Sequence, residues 1–298
     1  LAEARPTDRP LRGVAFQMGA ILCFVLMDVS IKVSVADLPV PQVIWARFVV
    51  HMATVALVVR LAGRRIPPVS KRPLLQILRS VVLAACNITF SIAIAHVPLA
   101  EATSIGFLSP LFTLLLAATV LKERIGWRAW AAVALGFLGV LVILRPGLGV
   151  THPAAFLVLG TAALFAVYAI LTRHLAQFDD SLTTIFHTGL AATVVTAVAV
   201  PFFWVTPDAR GWALLGVIGM LGGIGHYLMI LAYTAAPASL LAPFTYVQLL
   251  WAALFGWLVF GDRPDLFTWA GGLVIAAGGL LSLGAKRPAP VAPATRGE

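Results

Sequence analysis

One stretch of this chain occurs twice. Moved forward by 139 positions, residues 98–145 lie over residues 237–284 without a gap. Pro98 falls on Pro237, Glu123-Arg124 on Asp262-Arg263, Trp130-Ala131 on Trp269-Ala270, and Gly139 on Gly278. Each copy is an apolar run, a short charged corner and a second apolar run. Four landmarks in one register, the charged corner among them, require two like halves. A repeat of about half the chain length in so apolar a sequence is a mark of membrane carriers.

Composition sets the solvent. Hydrophobic residues make up 60% of the chain and charged residues 11%, against roughly 25% charged in soluble domains. Such a chain cannot cover itself with a wetted surface. Its apolar runs are about 20 residues long, enough to cross the hydrocarbon core as helix, and they lack the alternation of barrel strands. The expected class is an all-α integral membrane protein, with the lipid bilayer as partner. The net charge of +9 sits in corners between spans and forms no basic face, so nucleic acid is not an expected partner. Cys23 and Cys86 lie inside apolar runs without CxxC spacing, so neither a disulfide framework nor a metal site is indicated.

The runs fall at about 13–33, 40–60, 74–96, 98–121 and up to 145, then 153–173, 182–204, 212–235, 238–260 and 266–283. The expected organisation is a disordered N-terminus at 1–12, a five-helix repeat at 13–145, a linker at 146–152, a second repeat at 153–284 and a disordered tail at 285–298. Ten transmembrane helices place both termini on one side. Arg and Lys concentrate there in the first half, at Arg5, Arg9, Arg12, Arg60, Arg64, Arg65, Lys71 and Arg72, so that side is the cytoplasm. Five spans per repeat is odd, so the second copy enters the membrane inverted.

Inversion brings duplicated mid-span positions to similar depth near the bilayer centre. The 139-residue shift pairs Asn87 with His226 and Ser109 with Gln248. Ser91, Tyr227 and Tyr246 lie within about a turn of them. Either these side chains line a central substrate cavity, or they hydrogen-bond helix to helix. Arg47 and His51 share a face of span two at i,i+4, and Arg47 could hold a substrate carboxylate bidentately or tie the halves together. Trp251 joins Phe244 and Val247 in a stripe on span nine that fits packing or a ligand platform. Asp28 and Lys32, also i,i+4, can pair on span one. Arg79 is close enough to the end of span three to snorkel, and Tyr168 and His187 are weaker cavity candidates. Glu101 and His226 are the candidates for proton coupling. Pro110 and Pro243, inside spans four and nine, are candidate hinges.

These features resemble the drug/metabolite transporter superfamily and, within it, the ten-helix EamA-type exporters. The resemblance rests on the half-chain repeats, on Arg47 after a Pro-bearing turn, on Lys32 closing span one, and on two corners. Those corners, Leu121-Lys122-Glu123-Arg124 and Phe260-Gly261-Asp262-Arg263, look like the family's Leu-Gly-Glu-Arg signature, with Lys122 in place of Gly and Asp262 in place of Glu. The resemblance implies export of amino acids or other small metabolites from the bacterial cytoplasm through the inner membrane, without ATP or cofactor. Nucleobases, drugs or other amphipathic compounds are the alternative cargo. An intramembrane transferase is the rival from another class. It would need clustered acids or a His-based pair at the membrane surface, and His96 with Glu101 is the nearest approach, so no catalytic residue is assigned.

Overall fold

A computed structural model describes residues 10–61, 63, 70–119, 126–145, 152–175, 178–179, 181–236 and 241–283. The expected N-terminal and C-terminal disorder, the 146–152 linker and the Leu121-Lys122-Glu123-Arg124 corner lie wholly or largely outside these residues.

Every described element is helical. The first half holds α1 (Pro10–Ser34), α2 (Val40–Leu61), α3 (Pro73–His96), α4 (Leu99–Gly106), α5 (Ser109–Thr119) and α6 (Trp127–Leu144). The second holds α7 (Ala155–Leu175), α8 (Ser181–Ala197), α9 (Val200–Phe203), α10 (Ala209–Ala235), a 3-10 turn (Ala242–Tyr246), α11 (Val247–Phe260) and α12 (Leu266–Leu283). Among the described residues, six segments are long and apolar enough to cross a membrane, and three shorter apolar helices accompany them. The outer surface is apolar too: Leu138 and Leu141 on α6, Leu250 and Leu258 on α11, and Leu273 on α12 are all exposed. A core and an exterior both made of Leu, Val and Phe fit a molecule solvated by lipid.

Local chemistry sets the helix ends. Asp208 caps α10 by accepting from Gly211 N at 2.7 Å, satisfying one free N–H of the first turn. Gly261 ends α11 at φ +73°, where Gly261 N reaches Trp257 O and Asp262 N reaches Gly256 O. The bond from Gly261 N to Trp257 O is the 5→1 bond of an αL cap, which favours glycine. Spans expected to be continuous are broken. Span four splits at Phe107-Leu108, because Pro110 in the first turn of α5 has no N–H to continue the ladder from α4. Span nine carries a 3-10 turn, Ala242–Tyr246, that contains Pro243. Span seven stops at Ala197 and resumes as the short α9. The stretch that follows is anchored by fully buried Gln42, whose amide donates to Val205 O at 2.7 Å and accepts from Val205 N at 3.0 Å.

The halves are related by a pseudo-twofold axis. A Cβ on Gly139 would meet Gly271 O at 2.7 Å, and one on Gly278 would meet Ala132 O at 2.9 Å. Positions 139 and 278 are repeat mates, as are 132 and 271, so one contact is made twice, as at a twofold. Along α6 the contact runs from 132 to 139 while along α12 it runs back from 278 to 271. Equivalent helices therefore meet antiparallel, which requires an axis across them: the halves are inverted. Phe107 and its mate Tyr246 touch directly, with ring centroids 5.0 Å apart. The rest follows the same rule. α1 packs on α10 as α7 packs on α3, and α2 packs on α10 as α8 packs on α3.

Candidate functional site

Two equivalent helix triples result, α1-α2-α10 and α7-α8-α3. Each encloses one buried guanidinium. The two are satisfied very differently.

In the first triple, glycines on α10 let α2 and α1 approach closely. A Cβ on Gly219 would meet Val50 Cβ at 2.3 Å, and one on Gly223 would meet Thr54 Cβ at 2.8 Å. Gly222 leaves room for polar side chains: a Cβ there would lie 3.3 Å from Met27 Sδ, 3.5 Å from His51 Nδ1 and 3.9 Å from Arg47 Nε. The His226 ring stands edge-on to His51 at 5.1 Å and to Phe24 at 4.9 Å. Its Nδ1 lies 2.8 Å from Gly222 O. A carbonyl only accepts, so Nδ1 carries the hydrogen and Nε2 is left to bond something else. Arg47 is 8% exposed and makes no hydrogen bond or ion pair among the described residues. Asp28 is similarly buried and has no hydrogen bond among the described residues, and its charge acts on Arg47.

In the second triple, Arg79 is 3% exposed. Its Nε donates to Thr172 Oγ1 at 2.6 Å, its Nη2 to Tyr168 OH at 2.6 Å, and its Nη1 to Thr188 Oγ1. The guanidinium also lies over the Tyr168 ring, 4.6 Å from its centroid. Snorkelling, the sequence expectation for Arg79, is thus replaced by a hydroxyl basket. Below it, Asp179 gathers Ser70 Oγ, Lys71 N at 2.9 Å and Gln76 Nε2 at 3.1 Å. Burial alone would raise the Asp179 carboxyl, but these donors outweigh it and hold it below the ordinary carboxylate range.

His51 joins the triples. A Cβ on Gly189 of α8 would meet His51 Cδ2 at 3.5 Å, and the preceding residue, Thr188, holds Arg79.

Of the residues singled out in the sequence, Arg47, His51 and His226 come together. Asn87 repeats the behaviour of its mate: Asn87 Nδ2 bonds Leu83 O at 2.7 Å, as His226 bonds Gly222, and 83 and 222 are mates in turn. Ser91 is buried and Tyr227 half-buried on their helices. Ser109 and Gln248 open α5 and α11 at equivalent positions, just past the paired breaks. Tyr246 packs between Phe107 and α12, its hydroxyl over Gly279. Trp251 stacks on Phe255 at 5.9 Å, and its buried Nε1 has no partner among the described residues. Glu101 lies in the first turn of α4 at the rim, within the fields of Arg145 and Asp265, which pair at 2.7 Å. Pro110 lies in the first turn of α5 rather than inside a continuous helix.

One pairing is corrected. Lys32 does not pair with Asp28. It bonds Asp262 at 3.0 Å and Val97 O at 3.0 Å, and lies 4.7 Å from the Phe260 ring centroid. A lysine at a helix end reaches the wet rim more cheaply than a carboxylate one turn deeper. Asp28 is thereby released toward Arg47. Sequence reasoning therefore missed Asp28 and Arg79 as members of the polar centre. A shallow apolar groove of about 390 Å³, lined by Leu250, Leu254, Trp257 and Trp269 on the exposed side of α11 and α12, holds none of these groups.

Two inverted helical halves around a buried polar centre define a multi-pass membrane carrier. Residues 11–145 and 152–284 each match the EamA-like transporter family, and the chain belongs to that family. It is 29% identical over 269 residues to a pseudopaline exporter of Pseudomonas aeruginosa, covering 88% of this chain and 93% of that one. It is 28% identical over 206 residues to an S-adenosylmethionine uptake transporter of Rickettsia prowazekii, covering 69% and 70%. It is 33% identical over 205 residues to a riboflavin transporter of Rhizobium johnstonii, covering 68% of each. A crystal structure superposes with TM-score 0.65 at 18% identity over 91% of this chain and 96% of the other, a likeness of fold alone. These relatives are transporters of small molecules, not enzymes, and the transferase alternative falls away.

Proposed function

We propose that this chain is a secondary carrier that exports carboxylate-bearing metabolites, amino acids foremost, across the bacterial inner membrane by alternating access. Both termini lie in the cytoplasm, and the halves 13–145 and 153–284 are joined by 146–152. The relatives include both an exporter and an uptake transporter; the outward direction rests on the family resemblance and on the longer match to the exporter.

The observation that carries this reading is Arg47. A buried guanidinium without a hydrogen bond is costly, and it is built to receive a planar carboxylate through two parallel N–H donors. Asp28 beside it suits the ammonium of the same amino acid. His226 offers Nε2 to the cargo or to a proton. Asn87, Ser91, Ser109, Tyr227, Tyr246, Gln248 and Trp251 make up the rest of the proposed path, and the breaks before Pro110 and around Pro243 are its flexing points. The pair formed by Lys32 and Asp262 closes the outer end.

Thermal stabilisation of the purified protein in detergent tests the anchor. Amino acids should raise the melting temperature, and their carboxamides, which lack the anion, should not. Arg47→Gln should remove the response, since a charge-assisted bond of about 1.5–3 kcal/mol is roughly 10- to 100-fold in affinity. Equal stabilisation by acids and amides would end the proposal.

A further inference from the structure

The buried centre carries more positive than negative charge. Among the described residues, the guanidiniums inside the helix triples are Arg47 and Arg79, and the carboxylate there is Asp28. The other described carboxylates stand elsewhere. Asp262 and Asp265 are neutralised at the rim by Lys32 and Arg145. Glu101 is in the first turn of α4 beside that second pair, Asp179 is in the loop before α8, and Asp37 and Asp208 lie outside the long helices. Ionised, Asp28 leaves an excess of one positive charge; protonated, it leaves two. His51 and His226 add only neutral or positive forms.

The basket around Arg79 does not alter this sum. Tyr168, Thr172 and Thr188 give it acceptor oxygens but no charge. The guanidinium has five N–H groups, so three bonds leave further donors. The two cations are linked through neighbouring groups. Arg47 lies one helical turn from His51, which touches Gly189, next to the Thr188 that holds Arg79. The fields of both guanidiniums also reach His226. An uncompensated charge at membrane depth is expensive, so the state in which the site is filled should be the one that brings in an anion.

We infer that the site selects cargo of net negative charge, a small organic acid with two carboxylates such as an acidic amino acid or a dicarboxylate, with Arg79 supplying the second positive charge. This deepens the proposed function and rests on Arg47 as the carboxylate anchor. A neutral zwitterion cancels Arg47 against Asp28 and leaves Arg79 unmatched. A second carboxylate matches it.

Glutamate and glutamine test this, since they share shape and the α-carboxylate and differ by one charge; glutarate adds a pure dicarboxylate. Half-maximal thermal stabilisation of the purified full-length protein is read at pH 7. Glutamate and glutarate should act at concentrations roughly tenfold or more below glutamine, the scale of one charge-assisted contact. Arg79→Gln should bring glutamate and glutamine close to parity, and Arg79→Lys, which keeps the charge, should preserve the preference. If Arg79→Gln does not fold, the wild-type ratio and the Arg79→Lys ratio decide. Glutamine equal to or better than glutamate on the wild type overturns the inference while leaving Arg47 as a carboxylate anchor. A preference for glutamate that survives Arg79→Gln overturns the role of Arg79. No stabilisation by any of the three acids overturns both this inference and the function on which it rests.

Discussion

At the scale of single residues, two buried arginines in equivalent surroundings differ in how their N–H groups are satisfied. Arg79 is bonded on Nε, Nη1 and Nη2, so removing a partner strands a buried charge. Thr188→Val should lower stability by about 1–3 kcal/mol, while Arg47→Gln, which breaks no bond, should leave the unliganded protein close to wild type or slightly more stable. Melting curves of the two variants check the contrast. Asp179 gives a pH prediction. Its folded-state carboxyl is held below the ordinary range, so it contributes stability that is present above the unfolded value of about 3.9 and lost as pH falls through the lowered folded value. Asp179→Asn should lower the melting temperature at pH 7 and flatten its decline between about pH 5 and 3. An unchanged acid limb would contradict the role given to this loop. Arg47, His51 and His226 stand out in the sequence because ionisable groups are rare in apolar runs. Asp28 does not, because its spacing to Lys32 suggests a local pair, whereas the lysine finds a partner 230 residues away. Arg79 is misread for a related reason: its hydroxyl partners come from two helices of the other half, which no local spacing reveals.

At the scale of elements, close approach depends on missing side chains. The Tyr246 hydroxyl fills the place a Cβ on Gly279 would take, 1.5 Å away. Gly279→Ala should therefore cost about 1–3 kcal/mol by overpacking, and Tyr246→Phe in the same chain should recover part of the loss, as read from melting temperatures of the single and double variants. No recovery would mean that α12 clashes elsewhere. The helices themselves are plain in the sequence, since apolar runs of about 20 residues have one solution in lipid. Their interruptions are not. Proline marks spans four and nine as irregular, but the break at Phe107-Leu108 precedes Pro110, where the helical ladder first loses its donor. The stop of α8 at Ala197 has no proline before it; Pro201 follows within α9. The corner Phe260-Gly261-Asp262-Arg263 reads as a signature in sequence. The structure supplies its physical content: glycine turns the helix end at positive φ, and the acid pairs with Lys32.

At the scale of the whole molecule, the duplicated register of residues 98–145 and 237–284 carries over to the antiparallel meeting of α6 with α12 and the contact of Phe107 with Tyr246. Inversion was legible because an odd number of spans forces it. The chemistry broke the symmetry: one triple holds a satisfied arginine, and the other an unsatisfied arginine near a carboxylate and two histidines. The most direct measurement is counterflow in proteoliposomes loaded with unlabelled glutamate, comparing wild type with Arg47→Gln at matched incorporation and melting temperature. The wild type should accumulate labelled glutamate transiently, and Arg47→Gln should lose at least about tenfold of the rate, the scale of one charge-assisted anchor. Undiminished counterflow by a well-folded Arg47→Gln protein would contradict the account.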